Sequence, residues 1–305
     1  MKKVFVVVLS FNTSPETHDF LASMENIKKQ NYELTIIIVD NGSKEPFAFK
    51  PSEKKDYIQL IRSDENKGFT GGNNIGMQYA LDNGADYVMI INNDTYVDKN
   101  LIVNLLQEID KDEKIGVTSP KIYFAKNHEY HKDWYKKEDL GKVFWYAGGF
   151  TDWANVMSVH QGVDEVDHGQ YDKIEPITFA SGCCMFFKRE VLEKVGLFDD
   201  TFFLYFEDAD LNERIQRAGY KIMYVPTAVL WHINAGSTGG SGSNLQDYFQ
   251  TRNRMIFGMR YAPLRSKIAL IRESLRFLKK GRPMQKKGIM DFYVRRFGKG
   301  TYFKK

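Results

Sequence analysis

Tyr87-Val-Met-Ile-Ile91-Asn92-Asn93-Asp94 decides the fold: an apolar run of strand character closes on two amides and a carboxylate. Upstream stands Asn66-Lys-Gly68-Phe-Thr70-Gly71-Gly72-Asn73-Asn74-Ile-Gly76, a glycine-rich segment that opens a helical pattern. A buried strand ending in Asn, Asn, Asp delivers oxygen ligands at its carboxyl edge. Open parallel sheets bind ligands there, and hard divalent cations prefer such oxygens. Glycines let a backbone approach a ligand, and a helix starting near Thr70 aims its N-terminal amides at a phosphate. The pair reads as a nucleotide-sugar site. Taken alone, the glycine-rich segment reads equally as a tight strand-to-helix turn.

On either side of that unit, apolar runs alternate with helical patterns. Val4 to Leu9, Leu34 to Val39, Tyr57 to Ile61 and Tyr87 to Ile91 are expected strands, with helices over Pro15 to Lys29, Thr70 to Asn83 and Lys99 to Asp110. Strand, crossover helix, strand implies a parallel sheet with right-handed connections, which places Ser10, Asp40 and Asn92 to Asp94 along one edge. Residues 121–175 break the pattern and read as an inserted hairpin or loop region. Regularity returns with a strand over Thr178 to Lys188, a short helix over Glu190 to Val195, a helix over Asp208 to Ala218 and a strand over Tyr224 to Leu230. The expected organisation is a catalytic domain over 1–261, with a nucleotide-binding half to residue 120 and an acceptor half after it, followed by an extension over 262–305.

The chain has 305 residues and is 43% hydrophobic, enough for a substantial core. Its two cysteines are the adjacent Cys183 and Cys184, which excludes a disulfide framework and paired zinc spacings and points to a reducing compartment. No apolar run approaches the roughly 18 residues of a membrane span, and the run from Met1 to Leu9 is too short for a signal peptide. The net charge of +4 is unevenly spread: 262–305 carry 14 Lys and Arg against two acids, a net +12, which leaves 1–261 at −8. Ile268, Ile271, Leu275 and Leu278 recur at helical spacing among Lys267, Arg272, Arg276 and Lys279, as in a basic amphipathic helix. Such a helix lies on an anionic membrane surface, contacts nucleic acid, or packs on the acidic body.

Three further positions bear chemistry. Asp40 closes Ile36-Ile-Ile-Val39-Asp40-Asn41-Gly42-Ser43, where a carboxylate accepts the imide proton of a uracil or thymine ring or simply organises a turn. Glu207-Asp208 opens a helix behind the aromatic run Phe202-Phe-Leu-Tyr-Phe206, a setting for a general base or for an N-terminal cap. Trp231-His232 ends a strand ahead of Gly236-Ser237-Thr238, so His232 is a candidate metal or phosphate contact. A nicotinamide site is disfavoured, because Ser10-Phe-Asn12-Thr-Ser, after the first strand, contains no glycine.

In this order, the motifs Val-Leu-Ser-Phe-Asn12, Ile-Val-Asp40-Asn-Gly-Ser43, Asn66 to Gly76, Asn92-Asn-Asp94, Tyr146-Ala-Gly-Gly149, Asp167-His-Gly-Gln-Tyr171, Ser181-Gly182, Gly196-Leu-Phe-Asp199, Phe203 to Asp208, Trp231-His232 and Tyr248 to Asn253 resemble the glycosyltransferase family 2 enzymes, and most closely their rhamnosyltransferase-like branch. The resemblance implies the α/β fold of GT-A type, a mostly parallel nucleotide-binding sheet flanked by helices, here with a basic helical C-terminal extension. It implies inverting transfer from a nucleotide-diphospho-sugar, with Asp208 as the base beside Glu207. Mg²⁺ or Mn²⁺ would be held by Asp94 and His232. The donor would be bound by Ser10, Asn12, Asp40, Asn66, Gly68, Gly71, Gly72, Asn73, Asn92, Asn93, Gly182 and Arg252. The chain departs from the family's Asp-x-Asp, whose first carboxylate is here Asn92. It also lacks the Gln-x-x-Arg-Trp of processive synthases, so single or few additions are expected. The branch favours dTDP-rhamnose over UDP-hexoses as donor.

The expected acceptor is a growing surface or cell-wall glycan, free or lipid-linked, reached from the cytoplasm or the inner face of the membrane, with no nucleic-acid partner. Oligomeric state is left open. Two other classes compete. A nucleotidyltransferase would need a basic glycine-rich loop near the first strand, and residues 10–20 contain no Gly, Lys or Arg. A non-catalytic binding module leaves Glu207-Asp208 without a task.

Overall fold

A computed structural model of the chain describes residues 1–233 and 242–304. The first half alternates strand and helix as the periodicity requires. Strand β1 (Lys2–Ser10) leads to helix α1 (Ser14–Met24), β2 (Tyr32–Asp40), β3 (Ile58–Arg62), α2 (Gly68–Asp82) and β4 (Tyr87–Asn92). Next come β5 (Thr95–Val97), α3 (Leu101–Ile109) and β6 (Ile115–Phe124). The second half contributes β7 (Phe144–Tyr146), β8 (Gly149–Asp152), β9 (Met157–His160), β10 (Glu175–Ile177), β11 (Cys184–Lys188), α4 (Arg189–Val195), α5 (Glu207–Arg217) and β12 (Lys221–His232). Helices α6 (Asn244–Tyr261), α7 (Leu264–Lys280) and α8 (Pro283–Tyr293) follow.

The main sheet runs β10-β12-β6-β11-β4-β1-β2-β3, with β5 on β12 and β7 on β6, while β8 and β9 form a separate hairpin. β1, β2, β3 and β4 are mutually parallel. β11 enters antiparallel between β4 and β6 and joins the two halves. Strands β1, β2 and β4 are near-continuous Val and Ile runs with almost no exposure, as expected of strands covered on both faces by helices.

Several elements differ from their sequence pattern. The first helix stops at Met24, short of Lys29. The expected strand from Thr178 begins only at Cys184; residues 178–183 form the loop that brings Gly182 to the site. β6 lies partly inside the stretch taken as irregular, because Gly116 and Pro120 interrupt its apolar pattern. Pro226 sits in β12 where the register against β6 shifts between Val225 and Val229, an irregularity that accommodates a residue without an amide hydrogen.

The C-terminal extension is partly integrated with the body. In α8, Gly288 lies so close to α6 that an added Cβ would sit 2.6 Å from the Tyr248 carbonyl. Asp291 is buried and accepts from the hydroxyls of Tyr248 and Thr301. Beyond α8, Phe303 packs edge-on against Phe203 and Lys299 pairs with Glu65, so the chain end returns to the first half. Among the described residues, no helix is long and apolar enough to cross a membrane.

Candidate active site

Strand register assembles the edge. Ser10 pairs with Asp40, and Leu9 with Asn92, so the ends of β1, β2 and β4 are level. Asn93 ties that edge to α1: its side-chain amide donates to Thr13 Oγ1 at 2.7 Å and Thr17 Oγ1 at 2.8 Å, and Thr17 Oγ1 donates on to Ser10 Oγ at 2.9 Å. Asn12, in the left-handed region with φ 56°, accepts from the Lys44 amide and donates its own N–H to Ser43 Oγ. Asp40 is only 1% exposed. Its carboxylate accepts from the amides of Ser43 and Phe47 at 3.0 Å each and pairs with Arg62, and these hydrogen bonds and the guanidinium outweigh burial and hold the carboxyl below its usual range. The structure therefore gives Asp40 the turn-organising contacts; beside it a cleft of about 490 Å³ opens between Arg62, Ser63, Glu65 and Lys67.

The glycine-rich segment starts α2 at Gly68, two residues earlier than expected. Gly68 has φ +74°, and a Cβ there would lie 2.2 Å from the Phe203 carbonyl; at Gly72 it would lie 2.3 Å from Leu9. Gly68 demands glycine for its backbone conformation, and Gly72 for its close approach to the Leu9 side chain. Asn41 is the hub of this turn and was not singled out by its sequence. Its side chain donates to the Gly68 carbonyl at 3.0 Å and to Asn66 Oδ1 at 3.2 Å, and accepts from the Lys67 amide at 3.0 Å. Asn66 Oδ1 in turn accepts from the Gly68 amide at 2.7 Å. Gly71 faces only the Lys67 side chain, and Asn73 is buried, donating to the Phe69 carbonyl.

β5 pairs with the end of β12, matching Thr95 with His232, and the Ile233 amide donates to the Asp94 carbonyl at 2.9 Å. This pairing brings His232 Nε2 to 3.1 Å from Asp94 Oδ1. The imidazole is 5% exposed, Trp145 packs edge-on with ring centres 4.7 Å apart, and among the described residues His232 Nδ1 is buried without a partner. One carboxylate oxygen and one imidazole nitrogen fit a divalent cation that takes its remaining ligands from a diphosphate and water. Among the described residues, no three His, Cys, Asp or Glu side chains surround one point, so the diphosphate's share would be large. The segment Gly236-Ser237-Thr238 lies outside the described residues.

Glu207 and Asp208 begin α5 directly after a contorted segment. Phe203, Tyr205 and Phe206 have φ of 51°, 70° and 70°, each a conformation costing on the order of 1–3 kcal/mol for a non-glycine residue. Asn253, fully buried in α6, donates to the carbonyls of Leu204 and Tyr205 at 2.8 Å each and holds the segment in place. Arg252 does not join the other expected donor contacts: it is 0% exposed, and its Nε donates to Asn253 Oδ1 at 2.9 Å. It positions the clamp on the strained segment.

Asp208 is half-buried, with Oδ2 accepting from the Gly182 amide at 3.0 Å and Oδ1 from the Ala209 amide at 2.8 Å. One turn on, Asn212 grips the same loop, donating to the carbonyls of Ala180 and Asp208 at 2.8 Å each and accepting from the Ala180 amide. Its position at four residues from Asp208 was the available sequence signal. The neighbouring residue Cys183 accepts from the Asn92 amide at 2.9 Å. Asn92 of the acidic strand end and Asp208 are thus held by consecutive residues of one loop. Burial pushes both carboxyls above their usual range; Glu207 rises further, with the Asp208 charge as second cause, and among the described residues one of its carboxyl oxygens is buried without a partner.

A mostly parallel central sheet flanked by helices is the fold of GT-A glycosyltransferases. Two solved structures share the fold. GalNAc-T7 with UDP, GalNAc and Mn²⁺ superposes with TM-score 0.58 at 16% identity over 92% of this chain, which spans only 56% of that GalNAc-T7 chain. The mannosyltransferase PcManGT from Pyrobaculum calidifontis with GDP-Man and Mn²⁺ superposes with TM-score 0.52 at 17% identity, over 96% of this chain and 74% of that one. Residues 5–196 match the family model Glycosyl transferase family 2, and the chain belongs to that family. It is a glycosyltransferase. It is 25% identical over 244 residues to the N-acetylglucosaminyl-diphospho-decaprenol L-rhamnosyltransferase of Mycobacterium tuberculosis, 77% of each chain. It is 22% identical over 252 residues to the low-salt glycan biosynthesis hexosyltransferase Agl10 of Haloferax volcanii, 82% of this chain and 74% of the relative.

Proposed function

We propose that the protein is an inverting transferase that moves L-rhamnose from dTDP-rhamnose to a hydroxyl of a growing, lipid-linked or free glycan. The observation that carries the mechanism is the loop at Gly182 and Cys183, which fixes Asp208 and the end of β4 against each other. In this reading Asp208 removes the acceptor hydroxyl proton while the acceptor oxygen bonds to the anomeric carbon. The bond from that carbon to the diphosphate breaks on the opposite face, and its electron pair leaves with the nucleoside diphosphate. Burial and the Asp208 charge raise the Glu207 carboxyl further than that of Asp208, so in this reading Asp208 is the member of the pair that gives up its proton first. A divalent cation held by Asp94 and His232 would supply Lewis-acid stabilisation of the leaving diphosphate. Asp40 shapes the wall of the base pocket by fixing the 41–47 turn and Arg62.

The mycobacterial relative's L-rhamnosyltransferase name supports the donor, and its diphospho-decaprenol name supports a lipid-linked acceptor. The hexosyltransferase name of the second relative favours a hexose instead of rhamnose, and a UDP-hexose is the second donor reading. Release of nucleoside diphosphate across a panel of dTDP-, UDP- and GDP-sugars, without acceptor, separates the two. Fastest hydrolysis of dTDP-rhamnose is expected; fastest hydrolysis of a UDP-hexose would replace the donor, and no release from any donor would count against the transferase mechanism.

A further inference from the structure

Helix α7 turns an apolar stripe away from the protein. The positions it buries are Ser266, Leu270 and Ser274, two of them hydroxyl-bearing. Leu264, Ile268, Ile271 and Leu275 recur at intervals of four, three and four residues, which puts them on one helical face, and they are 74%, 43%, 39% and 53% exposed. On the 3.6-residue period, the exposed Arg272, Arg276 and Lys279 run along one border of that stripe. Helix α8 widens the patch: Tyr293 OH lies 2.7 Å from Ser274 Oγ, and Tyr293 and Val294 are both exposed.

The charge of this face is more one-sided than the composition alone indicates. Of the two acids in 262–305, Glu273 is paired with Arg254 of α6 at 2.7 Å, and Asp291 is buried against Tyr248 and Thr301. Both are spent on the body, so the outward border is basic without internal compensation. An exposed apolar patch marks an interaction site, and one bordered by exposed cations fits a surface that is apolar below and anionic above. An anionic bilayer has that profile.

We propose that the α7–α8 face docks on an anionic lipid bilayer, with the Leu264 to Leu275 stripe at the boundary of headgroups and acyl chains and Arg272, Arg276 and Lys279 among the headgroups. The inference rests on this surface alone and is independent of the donor reading. Co-sedimentation of the full chain with phosphatidylglycerol and phosphatidylcholine vesicles tests it. Binding to phosphatidylglycerol at low salt is expected, weakened by added salt and by phosphatidylcholine. The exposed pair Ile271→Gln/Leu275→Gln is expected to lower partitioning at least tenfold, and Arg272→Gln alone about fivefold. If the apolar pair destabilises the fold in a thermal melt, Arg272→Gln/Arg276→Gln, at exposed positions, decides by the same loss. Absence of binding at low salt overturns the proposal, as does a correctly folded apolar pair that binds like the parent. Lipid-free self-association seen by sedimentation velocity and abolished by the same pair would assign the stripe to a second copy of the chain instead.

Discussion

His232 Nε2 and Asp94 Oδ1 lie 3.1 Å apart although 138 residues separate them in the chain. The contact exists because β5 folds back on the end of β12, and in the proposed mechanism it supplies one oxygen and one nitrogen to the cation on the donor diphosphate. Asp94→Ala is therefore expected to weaken donor binding in the presence of Mn²⁺ and to remove most activity, with His232→Ala milder because the carboxylate remains. Calorimetry checks this, and equal, metal-independent donor affinity in parent and Asp94→Ala would contradict it.

Gly68→Ala should damage both stability and turnover. A left-handed φ of +74° costs alanine about 1–2 kcal/mol, and its Cβ would force the Phe203 carbonyl away from 2.2 Å. Displacing Phe203 disturbs the strained segment ahead of Asp208. Chemical denaturation should show a loss of about 2 kcal/mol or more; an unchanged midpoint would mean the turn relaxes freely.

Asn253→Ala leaves the Leu204 and Tyr205 carbonyls without their buried donor, a loss of about 1–3 kcal/mol. Because Asn253 holds the residues that aim Asp208, turnover should fall by at least about tenfold with donor affinity nearly intact. Parallel loss of donor affinity would place Asn253 in the donor pocket rather than behind the base.

Glu207 gives a pH signature. Its folded pKa is raised from 4.5, first by burial and then by the Asp208 charge, so between 4.5 and that higher value the folded state holds a proton that the unfolded state has lost. Stability should then fall as pH rises through this window and level off above it. Glu207→Gln should flatten this slope in urea midpoints measured across pH; an unchanged slope would mean Glu207 is ionised in the folded protein. The acid limb of kcat/KM should likewise sit above the ordinary range of aspartate, because Asp208 must lose its proton before it can act as base.

The strands of the first half were readable because buried parallel strands are written as unbroken Val and Ile runs, and the level ends at Ser10, Asp40 and Asn92 follow from their register. β6 was not, since Gly116 and Pro120 erase its pattern although β11 and β12 pair with it on either side. At the site, Glu207-Asp208 and Asp94 announce themselves as carboxylates at element ends. Asn41, Asn212 and Asn253 do not: a buried amide that holds a loop from a distant element leaves no local signature. Arg252 shows the converse, a charged residue beside an amide motif whose burial only the packing of α6 and the chain end reveals. The apolar face of α7 was legible as periodicity, but not its outward orientation, because Ser266 and Ser274 take the buried positions.

The most direct test of the account is single-turnover transfer by Asp208→Asn, measured beside donor affinity by calorimetry. The substitution keeps an oxygen for the Gly182 amide, whose bond to Asp208 is 3.0 Å, gives up the bond from the Ala209 amide, and removes the capacity to take a proton. Unchanged donor affinity with transfer slowed by about 10² to 10⁴ is the predicted result. Near-parent transfer at intact donor affinity would contradict Asp208 as the base.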